Sequence, residues 1–298
     1  MLIPIPRALT RALALAAFMP PLAALTAQST QPVAVRFQAT VAGRPFACGE
    51  TYADIGTTKD RITVSDFRFY VHDVRLLDDG GREVPVQLET DSLWQSNGVA
   101  LLDFENGAGP CSNGNAERRD VVLGTAPAGR YTGVRFAIGV PFALNHRDLT
   151  QQPSPLSLSR MFWAWNSGYK FMRIDMKNAA GQGWVLHLGS TECQPTGAPT
   201  AVPTQCAWGN RPEITFAAFD VAHDVVRFDL AALLRDANVS VNQPKTAMGC
   251  MSGQGDGDCA AVFAALGLPF RGVKGGTQSA FSVVNAAASA GASPAPAR

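Results

Sequence analysis

Apolar and polar side chains alternate along residues 33–38 (VAVRFQ), the two-residue period of a strand with one buried face. Residues 61–77 (RITVSDFRFYVHDVRLL) are rich in β-branched and aromatic side chains. Asp78-Asp79-Gly80-Gly81 then makes a turn, and residues 83–88 (EVPVQL) return, which predicts a hairpin. Further strands are predicted at 99–104 (VALLDF), 131–140 (YTGVRFAIGV), 171–176, 183–188, 213–219 and 225–230. Helix is scarce, with a turn or two at 231–236 and another short piece at 260–266. Short strands between Gly, Pro, Asn and Asp turns predict an all-β chain, an antiparallel sandwich or barrel-like domain with long loops.

The two ends depart from this pattern. Residues 1–27 read MLIPIPRALTRALALAAFMPPLAALTA, with Arg7 and Arg11 ahead of an apolar run and small residues up to Ala27. That order is the one of a secretory signal peptide. Prolines interrupt the run, and it is well short of the roughly 20 apolar residues that a spanning helix needs. Cleavage after Ala27 would leave no membrane span. Residues 286–298 are rich in Ala, Ser and Pro and are expected to be a disordered tail. Between the ends, residues 28–285 show no repeat and no clear linker, so a single domain is expected.

Composition narrows the functional classes. Of 25 basic and 24 acidic residues, two arginines lie in the signal segment, which leaves 23 basic against 24 acidic. That balance offers no electrostatic case for nucleic acid or an acidic membrane surface. The six cysteines, Cys48, Cys111, Cys193, Cys206, Cys250 and Cys259, read as three disulfides in an exported chain. Cys193 and Cys206 bracket a Pro/Thr-rich loop, and Cys250 and Cys259 bracket the polar turn MSGQGDGD, which leaves Cys48 with Cys111. No C-x-x-C occurs to favour zinc or an iron–sulfur cluster.

Candidate chemistry is sparse. There is no G-x-S-x-G, no phosphate-binding glycine loop and no H-E-x-x-H. Asp73, Asp103 and Asp148 could be general bases, but carboxylates in turns are usually solvated or capping. Four histidines are present: His72 in FYVHDV, His146 in LNHRD, His187 in VLHLGS and the isolated His223. Residues 161–172 (MFWAWNSGYKFM) concentrate aromatics and methionines, which suits either a core strand and turn or a soft, oxidisable wall beside a metal. Imidazole and thioether groups are good copper ligands.

The ordered set DFRFYVHDVRL, WQ…ALLDFENG…C, GVPFALNHRD, PLSLSRMFWAWNSGYKFMRID, HLGSTEC and CMSGQGDGDC…LGL resembles the MbnP family. This is the four-Cys-motif member of the metallo-mystery pair, related to the copper-repressible proteins MopE and CorA. The resemblance spans residues 33–285. It implies a copper-binding protein of the periplasm or outer surface that is not itself an enzyme. It also implies a dihaem partner of the MauG and cytochrome c peroxidase group, which oxidises a tryptophan to kynurenine. Carried onto this sequence, His72 and His146 are the leading ligands and His187 the third. Trp94, Trp163 and Trp165 are the candidates for modification. Asp73 or Asp148 would fix an imidazole tautomer. Two other readings are a copper-dependent enzyme and a structural or adhesive β domain without metal.

Overall fold

The computed structural model describes residues 29–285, apart from positions 113, 165, 196, 199 and 200. The expected signal segment, the expected tail and Trp165 lie outside the described residues. The first strands are β1 (Thr30–Val41), β2 (Arg44–Pro45), β3 (Thr51–Ile55), β4 (Asp60–Asp78), β5 (Glu83–Pro85), β6 (Gln87–Leu88) and β7 (Gln95–Ser96). Next come β8 (Val99–Asp103), β9 (Val121–Pro127), β10 (Tyr131–Ile138), helix α1 (Phe142–Asn145), β11 (Phe162–Ala164), β12 (Gly168–Tyr169), β13 (Met172–Asn178) and β14 (Gly183–Leu188). The remainder are β15 (Thr191–Pro195), β16 (Pro203–Trp208), β17 (Glu213–Phe216), β18 (Asp224–Asp229), α2 (Leu230–Leu233), α3 (Cys259–Ala265) and β19 (Phe281–Asn285). The two helical pieces expected after residue 230 are therefore present as α2 and α3.

Two sheets face each other as a sandwich. One runs β19-β18-β1-β9-β6, with β2 on β1, and the other runs β14-β13-β4-β10-β17, with β3, β5 and β8 also on β4. Most ladders are antiparallel, but β1 and β18 are parallel. Phenylalanines fill the space between the sheets. Phe37, Phe228 and Phe281 of the first sheet meet Phe67, Phe69 and Phe136 of the second at centroid separations of 5.3–6.2 Å. Burying each such ring contributes about 1.5–3 kcal/mol.

All three expected disulfides form: Cys48–Cys111, Cys193–Cys206 and Cys250–Cys259. The first spans a separation of 63 residues and so removes the most unfolded-chain entropy, about 4 kcal/mol. No helix among the described residues is long and apolar enough to cross a membrane.

The long strand β4 sets up the rest of the molecule. Its register against β13 slips between the pairs Met176–Val64 and Asp175–Asp66, so Ser65 bulges. Its register against β10 slips again between Ala137–His72 and Arg135–Arg75, where Asp73 takes φ +49°. Each bulge inserts one residue and flips the faces that follow. Ile62 and Val64 face the core before the first bulge, and Phe67, Phe69 and Val71 face it afterwards. Asp66, Arg68, Tyr70 and His72 are thereby turned away from the phenylalanine core, yet all four stay buried.

They stay buried because loops cover that outer face. Strands β10 and β13 run on the same edge of β4 and part at Tyr70, whose amide donates to the Phe171 carbonyl while its carbonyl accepts from the Gly139 amide. Residues 139–171 leave through this gap and fold back over the sheet. The Tyr70 hydroxyl donates to the Pro155 carbonyl at 2.9 Å, and Arg173 and Lys170 donate to the Arg160 carbonyl at 3.2 and 3.0 Å. Among the described residues, His146, Met161, Phe162, Trp163, Tyr169 and Phe171 all belong to this segment.

Candidate functional site

The outer face begins with a charged row. Asp103 of β8, Arg68 of β4, Arg173 of β13 and His187 of β14 lie side by side in register. Arg68 is 2% exposed and donates through Nε to Asp66 Oδ1 at 2.9 Å, and it also pairs with Glu105 at 3.2 Å. Arg173 bridges Asp66 at 3.2 Å and Asp175 at 2.6 Å. Three carboxyls thus share two guanidinium groups, and Asp103 is a fourth beside them. Burial, opposed by Arg68 and reinforced by Glu105 and Asp66, pushes the Asp103 carboxyl up to about 8. Burial and the Asp66 charge push Glu105 up to about 7. Raising these two toward the neutral form lowers the negative charge that the two arginines face.

This balance has a pH signature. A carboxyl whose folded pKa is raised stabilises the fold fully below its unfolded value near 4, and the contribution is lost as pH rises through the folded value. His72 acts in the opposite sense, and only between about 4 and its ordinary value. Unfolding free energy should therefore fall between pH 6.5 and 8. Asp103→Asn should remove about 1.4 kcal/mol per pH unit of that fall, as read from urea midpoints across the range. An unchanged slope in the variant would contradict the assignment.

His187 ends the row. Its Nε2 lies 2.7 Å from Asp175 Oδ1. Burial raises the Asp175 carboxyl, but the hydrogen bonds from His187 and Arg173 outweigh it and hold the group at about 2. An ionised carboxylate only accepts, so Nε2 carries a proton, and in that tautomer the lone pair is on Nδ1. That Nδ1 is buried with no hydrogen-bond partner. A carboxylate on one ring nitrogen and a bare lone pair on the other is the arrangement that prepares an imidazole for a metal ion.

Trp163 of β11 stands beside His187, with ring centroids 6.4 Å apart. Its six-membered ring closes on Gly189, where an added Cβ would sit 2.5 Å from Cζ3. Beyond it opens a groove of about 420 Å³ lined by Trp163, Ser190, Thr191, Glu192, Cys193 and Met251. A larger groove of about 640 Å³ lies by β1 and β9, lined among others by Arg36, Phe46 and Arg118, and holds no histidine.

His146 follows α1 and is 4% exposed. The Asn145 carboxamide oxygen accepts from the Tyr169 amide at 3.0 Å, so its NH2 faces His146 Nε2 at 3.1 Å. A carboxamide nitrogen only donates, so His146 Nε2 is the nitrogen bearing the lone pair. The same atom is 3.5 Å from Cys206 Sγ. His146, Cys193 and Cys206 are the one set of three His, Cys, Asp or Glu residues found among the described residues whose ligand atoms all lie within 4.8 Å.

His72 sits between Val99 of β8 and Ala137 of β10. Burial and the neighbouring Arg211 charge lower its pKa to about 4, so the ring is neutral at pH 7. Its Nδ1 is also buried without a hydrogen-bond partner. His223 is exposed on a turn and bonds Asp220 at 2.9 Å.

The structure gathers the expected residues only in part. His72, His146 and His187 all lie buried, but their ring nitrogens form no set of three within 4.8 Å. Trp94 is buried near β7, with its amide bonded to Asp91. The tautomer-fixing carboxylate is Asp175, not Asp73 or Asp148. Asp73 pairs with Arg75 and Arg135, and Asp148 accepts from Thr150. The signal for Asp175 was present in Met172-Arg173-Ile174-Asp175-Met176, where charged and apolar residues alternate.

The fold and this face define a class: a disulfide-stapled β-sandwich with buried, metal-competent imidazoles beneath a loop layer on its outer face. The MbnP family profile matches residues 30–252. The solved structure of MbnP from Methylosinus trichosporium is similar at TM-score 0.74 and 32% identity, covering 87% of this chain and 99% of that one. No curated protein sequence matches the chain. The chain belongs to the MbnP family.

Proposed function

We propose that the chain is an exported, non-catalytic copper-binding protein of the periplasm or outer surface. In this reading a dihaem protein of the MauG and cytochrome c peroxidase group converts one of its tryptophans to kynurenine. The observation that carries the metal reading is the buried, unpartnered Nδ1 of His187, oriented by Asp175. Neutral imidazole is a good copper ligand, and all six cysteines are tied up as disulfides. His187 is the foremost ligand on these grounds. His72, held neutral with its own unpartnered Nδ1, and His146 are the others.

Trp163 is the described tryptophan best placed for modification. It lines an open groove and stands next to His187, whereas Trp94 is 6% exposed within the core. Kynurenine carries an arylamine and a ketone, both electron-pair donors. The test is intact mass and peptide mapping of the protein produced with and without a co-expressed haem partner. A gain of oxygen with loss of carbon at Trp163, together with bound copper, is the expected result. Unmodified protein that binds no copper would overturn the reading.

A further inference from the structure

The half-buried disulfide beside His146 differs from the other two. Cys250 and Cys259 are both fully buried, and in Cys48–Cys111 the half-buried Cys48 is joined to a fully buried Cys111. Cys193 and Cys206 are only half-buried, and Cys193 lines the open groove next to Met251. Thiol–disulfide exchange requires access to a sulfur, and this is the bond with both cysteines half-buried and a groove leading to one of them, so a reductant reaches it first. Both sulfurs and a ring nitrogen of His146 lie within 4.8 Å of one another, and Nε2, the nitrogen with the lone pair, is 3.5 Å from Cys206 Sγ.

We propose that Cys193–Cys206 is a redox gate over a second soft-metal site, in which reduction creates a thiolate–thiolate–imidazole set with His146 that takes Cu(I). The reductant is a dithiol. Its two thiols join as a disulfide while the Cys193–Cys206 bond breaks, and two electrons and two protons pass to the protein as two thiols. Cu(I) then binds both sulfurs, the two thiol protons leave to solvent, and copper keeps its oxidation state. Thiolate and imidazole are the ligand types that suit Cu(I). The groove gives the ion a path from solvent to Cys193. While the disulfide is intact, its sulfurs are poor donors and the site is closed. The gate draws on His146, the third histidine of the proposed function, but not on His187 or His72, so copper held by His187 in the oxidised protein does not depend on it.

The test uses the mature exported protein, oxidised or briefly treated with dithiothreitol and desalted without oxygen. Iodoacetamide mapping should find Cys193 and Cys206 alkylated before the other four cysteines. Competition with bathocuproine disulfonate should show that the reduced protein retains one more Cu(I) per chain than the oxidised protein, with thiolate-to-copper absorption in the ultraviolet. The extra copper should be lost in the Cys193→Ser/Cys206→Ser variant and weakened in His146→Ala. Wild-type protein reduced and then alkylated at this pair serves as a second control, since it needs no refolded variant. Equal copper in the oxidised and reduced forms would overturn the proposal. So would extra copper that survives alkylation, or prior opening of a buried disulfide.

Discussion

Replacing Arg68 with Met should destabilise the protein by about 3–5 kcal/mol, the cost of breaking a buried ion pair by removing one partner. Arg68 holds Asp66 and pairs with Glu105 at positions that are 0–2% exposed, so neither carboxyl can turn to water once the guanidinium is gone. Lysine should rescue only part of the loss, because a single ammonium cannot reproduce the forked contact with Asp66. The measurement is the urea midpoint at constant slope. Replacing Arg68, Asp66 and Glu105 together with apolar residues of similar volume should recover most of the stability, because no charge is then left alone. A loss under about 1 kcal/mol for Arg68→Met would mean that the row is not an energetic unit.

The second large effect concerns copper. His187→Ala should lower the affinity of the oxidised protein for copper by more than about 100-fold. Asp175→Asn should lower it by about 10–100-fold, the range typical when a group orienting a metal-bound histidine is removed. The asparagine would keep the shape but lose the charge that holds the Nε2 proton and pairs with Arg173. Near-ultraviolet circular dichroism would separate lost binding from lost fold. His223→Ala, on an exposed turn, should leave affinity unchanged.

Much of the fold was legible in the chain. Alternation and turn residues located most strands of the sandwich, and the disulfides followed from two local cysteine pairs and one remainder. What was illegible has physical causes. A bulge changes the parity of everything after it, and nothing in the side chains of Ser65 or Asp73 announces one. Period-two reading alone would have put Val64 and Asp66 on the same face. The segment between Cys193 and Cys206 read as a loop because of its prolines and threonines, yet β15 and β16 pair there across the disulfide. The parallel β1–β18 ladder joins strands nearly 190 residues apart, beyond any local signal.

The site was legible as residue types and not as an arrangement. Motif resemblance ranked His72 and His146 above His187. The geometry instead gives His187 the oriented ring and the bare nitrogen, because Asp175 lies on the adjacent strand two residues out of register with it. Trp163 and His187 are 24 positions apart in the chain and become neighbours only when β11 lies across Gly189. Pairwise ordering of strands settled both points, and sequence spacing could not.

X-ray absorption at the copper edge of the oxidised, copper-loaded protein tests the central claim most directly. The account predicts a first shell dominated by nitrogen, with the multiple-scattering pattern of imidazole, that weakens in His187→Ala. A first shell without imidazole, or one unchanged by His187→Ala, would contradict it.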